Sequence, residues 1–234
     1  MKRIVFVIII GFLFVFSGCN NDEGYSLNDV WIGFGIVENI DSYKIVMDDG
    51  EVLYPVAFEA QNPWYDYNYS GNNREIKEGD RVLVNFTVLY DKLDDKGKIV
   101  AYYVKVNSAK KILKKGILEI TEENKDSIGN DPIIVKECWI ANDLLNFQLK
   151  YWGRNEIHFI NLVKQPGVLN AAGQPFELEL RHNNNGDSEE IPYIAYVSFR
   201  LELLKVAGID SVQFKVKSTD YDGKLTEFNK VYKY

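Results

Sequence analysis

The sequence is poor in the residues that usually announce chemistry. Its 234 positions hold two cysteines, Cys19 and Cys138, and two histidines, His158 and His182. Two cysteines cannot make a disulfide framework, a zinc site or a Cys-x-x-Cys redox motif here. Cys138 lies in a strand-like stretch, "IIVKECWIA", and reads as a small apolar residue of the interior. Missing as well are Gly-x-Ser-x-Gly, His-Glu-x-x-His, a phosphate-binding glycine loop and a Cys–His nucleophile pairing. No catalytic residue, metal or cofactor is therefore expected, and the chain reads as a non-enzyme. The 34 acidic residues leave many carboxylate pairs open, so a hydrolase is kept as the minor alternative.

Concentrated positive charge is also lacking. Net charge is −7, and removing Lys2 and Arg3 with the leader takes it to −9. Nucleic-acid binding needs clustered Lys and Arg to displace counterions from phosphates. The one basic cluster is Lys110, Lys111, Lys114 and Lys115, beside the acidic stretch Glu119 to Asp126. It reads as a solvated linker face. Long helical periodicity is absent after the leader.

Two weak metal signals need weighing. His158 and His182 have Glu156 and Asp187 near them in sequence, but a zinc site needs three or four ligands converging from separate strands. Two strand histidines with polar neighbours is the simpler reading. Asp220-x-Asp222-Gly223 echoes a calcium loop. Counting Ser218 as position 1 puts Asn229 at position 12, where a glutamate is needed. A hairpin turn explains that stretch better.

What is there begins with the leader. Lys2 and Arg3 precede an apolar run, Ile4 to Phe16, shorter than the roughly 20 residues that a membrane span needs. Phe16-Ser17-Gly18-Cys19 resembles the lipobox of bacterial lipoproteins, with Phe16 in place of the usual Leu. That resemblance implies cleavage before Cys19 and lipidation of its thiol. The membrane is then a partner through the anchor on Cys19, and the location is the cell envelope, as an outer-membrane lipoprotein. Asp22 and Glu23 resemble the acidic export signal of Bacteroidetes surface lipoproteins, which favours the surface face.

Tyr and Phe are abundant, at 15 and 13 residues, and suit pleated half-buried surfaces. "VWIGFGIVENI" reads as a strand, and "YKIVMDDGEVLYPVAF" as a hairpin with a type I′ turn at Asp49-Gly50. "DRVLVNFTVLY" places Val82, Val84, Phe86 and Val88 on one face. "IVAYYVKV" completes five strands, the count of an OB barrel. Its loops carry Asp41, Asp48, Asp49, Asp91, Asp94 and Asp95, which would repel phosphate, so no nucleic acid is expected there. Seven further alternating runs follow, from "PIIVKECWIA" to "KLTEFNKVYKY", as in an antiparallel sandwich. The expected organisation is a signal peptide (1–18), a tether (19–28), an OB-like barrel (29–112), a linker (113–130) and a seven-stranded Ig-like β-sandwich without a disulfide (131–234).

The stretches "EGDRVLVNFTVLY", "DPIIVKECWIANDLLNFQLKYWG", "HFINLV" and "VSFRLELL" resemble the NigD-like lipoproteins of Bacteroidales. Those pair a lipobox leader with an OB-like domain and a β-sandwich. The resemblance implies a protein-binding or bacteriocin-immunity-like module, with a glycan-binding accessory as the alternative partner class. One loop, "NPWYDYNYSGNN", crowds Trp64, Tyr65, Tyr67 and Tyr69 together. Such rings suit recognition surfaces or the plugging of a barrel. Trp64 is expected as the plug, and Tyr67 and Tyr69 as exposed. Asp126-Ser127-Ile128 and Asp210-Ser211-Val212 resemble the O-glycosylation motif of exported Bacteroidetes proteins, which makes Ser127 and Ser211 candidate modification sites.

Overall fold

A computed structural model describes residues 24–39, 44–59, 66 and 75–234. The chain is all-β: a closed five-stranded barrel is followed by a β-sandwich. The barrel strands are β1 (Trp31–Asn39), β2 (Lys44–Met47), β3 (Val52–Phe58), β4 (Arg81–Leu93) and β5 (Ile99–Lys115). They run in the order β3-β2-β1-β4-β5, and a parallel β3–β5 pairing closes the ring. This is the connectivity of an OB barrel. Val82, Val84, Phe86 and Val88 all line its core, as their alternation predicted, together with Val37, Ile45, Leu53, Val104 and Val106.

The hairpin between β2 and β3 uses a different turn from the expected one. A type I′ turn needs positive φ at both central residues. Among the described residues of this turn only Gly50 has it, at 89°. The Gly50 amide donates to Met47 O at 3.1 Å and the Met47 amide to Glu51 O at 2.8 Å. The result is a three-residue loop with glycine in the left-handed position. Asp48, freed from the turn's backbone demands, is left to aim its carboxylate elsewhere.

The second half contains β6 (Leu118–Glu119), a short helix α1 (Lys125–Ile128), β7 (Ile134–Ala141), β8 (Leu144–Gly153), β9 (Phe159–Lys164), β10 (Phe176–Asn183), β11 (Ile191–Arg200), β12 (Ser211–Thr219) and β13 (Leu225–Lys233). The seven expected runs are β7 to β13, and β6 is an addition at the start. One sheet has the order β11-β8-β7 and the other β13-β12-β10-β9-β6. Phe147, Phe199, Leu145 and Leu149 from the first face Leu162, Leu178, Phe214 and Val216 from the second. The sandwich is not purely antiparallel, because β10 pairs with β12 and β6 with β9 in parallel. A parallel pair needs a crossover between its strands. Here β11 provides it for β10 and β12 by lying in the opposite sheet.

The chain does not pass between the halves through a free stretch. Leu113, Lys114 and Lys115, expected in the linker, are the last residues of β5. They pair in parallel with Val197, Ser198 and Phe199 of β11. The barrel sheet and the first sandwich sheet are thus one eight-stranded sheet. Lys110 of the basic cluster is exposed, but Lys114 and Lys115 are not a solvated face. Lys115 Nζ donates to Ile160 O at 2.8 Å and to Asn161 Oδ1, and Lys114 Nζ donates to Gly79 O. Burial lowers the pKa of both amines. Long apolar stems let such lysines reach across a junction and deliver a donor at its far side. Residues 121–127 are largely exposed, while Ile117 and Ile128 are buried.

Candidate functional site

Cys19 and the loop aromatics Trp64, Tyr65, Tyr67 and Tyr69 lie outside the described residues. Asp66, from that loop, is described: it is buried, and its carboxylate accepts the Lys111 amide at 2.8 Å. Ser127 sits exposed on α1, its hydroxyl donating to Asn124 O at 2.9 Å. Ser211 begins β12, half-buried and opposite Lys233. Cys138 packs half-buried against the sandwich core, and burial pushes its thiol up to about 11, which makes it unreactive. The tether is partly folded down: Tyr25 donates its hydroxyl to Asp91 at 2.6 Å, and its ring meets those of Trp31 and Tyr102 edge-on.

Three arrangements escaped the sequence reading. The first is a row of tyrosines across the outside of the barrel. Tyr54 of β3 stands opposite Tyr103 of β5, which stands opposite Tyr90 of β4. Tyr90 and Tyr103 stack at 4.5 Å between centroids, and Tyr54 lies 5.8 Å from Tyr103. Lys92 places its ammonium 4.1 Å from the centre of the Tyr54 ring. Tyr90 is 51% exposed. Tyr54 and Tyr103 each neighbour an inward residue in their own strand, so parity marks them as outward. Tyr90 shares the parity of Val82 to Val88 and is outward only because the β4–β5 register shifts between Val88 and Tyr90. Their alignment into one row depends on the registers.

The second lies at the junction of the halves. Arg81, at the start of β4, has a side chain with no exposed surface and holds both carboxylate oxygens of Asp48. Trp139 of β7 donates its indole N–H to the same carboxylate at 2.8 Å, and Asn142 adds a donor at 3.2 Å. Phe34 of β1 fills the space between Trp139 and Tyr196, beneath the Arg81 guanidinium. A charge this deep is tolerated only when paired. Here Nη1 and Nη2 take the Asp48 carboxylate, while the buried Nε is left without a partner among the described residues. Asp48 receives donors from both halves and so ties them together.

The third is a chain of titratable groups at the loop end of the sandwich. His182, near the end of β10, points Nδ1 at Pro132 O at 2.9 Å. Its Nε2 lies 2.8 Å from Nδ1 of His158, and His158 Nε2 lies 3.2 Å from Asp187 Oδ2. The side chains of His158 and Asp187 are 4% and 5% exposed. Tyr151 of β8 packs against both imidazoles, with centroids at 4.6 and 5.4 Å. Gly153 makes room: a Cβ there would stand 2.7 Å from His158 Nε2 and 2.8 Å from Asp187 Oδ2. Backbone amides of Arg154, Asn155 and Glu156, with the His158 ring, hold the Asp187 carboxyl well below the usual carboxylate range. Burial, the largest influence on His182, lowers its value. The two histidines and Asp187, weighed above as a metal set, do come together. They meet in a line of hydrogen bonds, and among the described residues no group of three or more His, Cys, Asp or Glu is arranged to hold a metal ion.

Residues 116–230 match the family model of the NigD-like C-terminal β-sandwich domain. The second half of this chain is NigD-like. The likeness in fold extends over both halves. A protein of Parabacteroides distasonis described as toxin-related is 29% identical, with a TM-score of 0.67, covering 88% of this chain and 94% of that one. A NigD-like immunity protein of Bacteroides caccae is 19% identical, with a TM-score of 0.63, covering 89% of this chain and 99% of that one. A Bacteroides fragilis protein described as a lipoprotein is 10% identical, with a TM-score of 0.50, and shares the fold over 87% of this chain and 96% of its own. No curated protein matches the sequence. The match therefore brings a family to the second half, and the solved structures bring a fold to both.

Proposed function

We propose that this NigD-like protein is a non-catalytic envelope lipoprotein whose barrel presents a recognition surface to a protein partner, in the manner of an immunity module. One observation carries the reading: the row Tyr54, Tyr103 and Tyr90 with Lys92 at its side, on three adjacent strands of a closed barrel. Tyrosines offer large contact area with a polar tip and lose little rotamer freedom on binding. Strands hold them in place better than a loop would. The Bacteroides caccae neighbour, described as an immunity protein, supports the protein-binding class. Tyr65, Tyr67 and Tyr69 belong to the same proposal as further recognition residues, with Trp64 as the ring that plugs the barrel. Cys19 is the lipid anchor in this reading, placing the protein at the outer membrane with its surface face outward. Of the two candidate glycosylation sites, Ser127 is the more accessible.

The test pairs binding with stability. The triple variant Tyr54→Ala/Tyr90→Ala/Tyr103→Ala is compared with the wild type for capture of envelope proteins, with thermal melts run in parallel. The reading requires loss of a specific captured protein from a variant that still folds. Binding to a glycan array that depends on the same three rings would replace the protein partner with a sugar. For the anchor, labelling with a clickable fatty acid should mark the wild type and leave Cys19→Ser unlabelled.

A further inference from the structure

The line from Pro132 to Asp187 has three gaps, and each needs one proton. Pro132 O only accepts, so His182 Nδ1 carries a proton. A neutral His182 then has a bare Nε2, which must receive the proton on His158 Nδ1, 2.8 Å away. That leaves His158 Nε2 facing the Asp187 carboxylate, which already accepts the amides of Arg154 and Asn155. Two neutral imidazoles supply two protons, and the third gap needs a third. With Asp187 ionised, that proton can only sit on an imidazole.

We infer that His158, His182 and Asp187 form a proton-dependent clip, which holds the loop end of the sandwich closed only while the two imidazoles together carry one proton beyond their neutral complement. The clip joins four segments: the 131–133 strap through Pro132, β10 through His182, the residues entering β9 through His158, and the β10–β11 loop through Asp187. Losing the extra proton sets the His158 Nε2 lone pair against the carboxylate. Gaining another places two N–H groups against each other between the rings. Either change opens a gap in a site where water has little access.

The neighbouring groups favour this single state. Asp131, in the strap, lends His182 its negative charge and accepts the Asn184 amide at 2.8 Å. Tyr151 of β8 packs against the imidazoles, and Tyr193 of β11 stacks on the Tyr151 ring. Tyr221, in the β12–β13 turn, accepts the Trp152 amide. Glu156 faces Asp187 through its backbone amide, and the Arg154 side chain pairs outward with Glu190 at 2.9 Å. Burial lowers His182, so its contribution to stability is present above the unfolded value of about 6.5 and is lost as pH falls below it. Asp187, held low, stays ionised throughout.

Long-range 1H–15N spectra of histidine-labelled full-length protein test the clip directly. Near neutral pH, His158 should show two protonated ring nitrogens and His182 only Nδ1–H. Titration to about pH 9 should remove one His158 proton. In the same step the Arg154 and Asn155 amides, corrected for intrinsic rate, should exchange about tenfold faster, as expected for one unmade buried hydrogen bond. His158→Gln should abolish the pH dependence of that exchange. A His158 with one protonated nitrogen at every pH between about 5 and 9 would overturn the inference, whatever the variant does. Exchange at Arg154 and Asn155 that ignores the His158 titration would overturn it as well.

Discussion

The barrel and the sandwich bury separate cores, the first mostly valine with Phe86 as its one buried aromatic among the described residues, the second rich in leucine and phenylalanine, and they dispose of their sheet edges differently. The barrel closes on itself through β3 and β5, leaving its ring without an open edge. The sandwich stays open, and its first sheet borrows the far end of β5 to cover β11. One strand therefore serves both halves: its first part completes the barrel and its last three residues continue the sandwich sheet. The comparison teaches that two cores need not mean two independent units. The barrel keeps all five strands if the halves are parted, whereas the sandwich loses a neighbour for β11 and the donors of Lys115.

The comparison breaks most sharply at Arg81. Arg81→Ala would leave the Asp48 carboxylate without its buried partner and should cost about 3–5 kcal/mol by urea melt. In limited proteolysis, the wild type should be cut within 121–126 and spared at Leu113–Lys115. The variant should become cleavable at that end of β5, and protection unchanged there would mean that Asp48 and Arg81 do not hold the halves together. Trp139→Phe keeps the ring against Phe34 but deletes the indole donor to Asp48. A loss of about 2 kcal/mol is expected, as for a hydrogen bond to a charged group. Gly50→Ala tests the turn that positions Asp48. Its φ of 89° is strained for any residue with a Cβ, so a cost of about 1 kcal/mol should appear in the barrel's melt. Tyr90→Ala sharpens the comparison from the other side. Its ring is on the exposed face, so stability should change by less than about 0.5 kcal/mol. A larger drop would make the tyrosine row part of the barrel's structure and weaken it as a recognition surface.

Much of the fold was legible because alternation is local. Val82, Val84, Phe86 and Val88 declared their inward face without help from any partner strand. The β2–β3 turn was located correctly and typed wrongly, since Asp49-Gly50 fits two turn geometries and only the backbone chooses between them. Type I′ geometry occurs instead at Asn142-Asp143, joining β7 to β8 without a glycine. Lys114 and Lys115 looked like part of a solvated face because burial depends on what packs above a strand, which charge patterning does not report. Of the candidate site, the residue types of the relay were noticed and its geometry was not.

By itself, the sequence determined the strand-rich class, the division into two cores, the acidic balance and the scarcity of nucleophiles and ligands. These follow from composition and from patterns that repeat within a few residues. Tertiary structure alone decided that β5 would run into β11, that Asp48 would gather donors from both halves, and that three tyrosines would form a row. It also decided that His158 and His182, 24 positions apart, would share a hydrogen bond. Each of these depends on register between strands distant in sequence, and register is set by how the whole sheet closes.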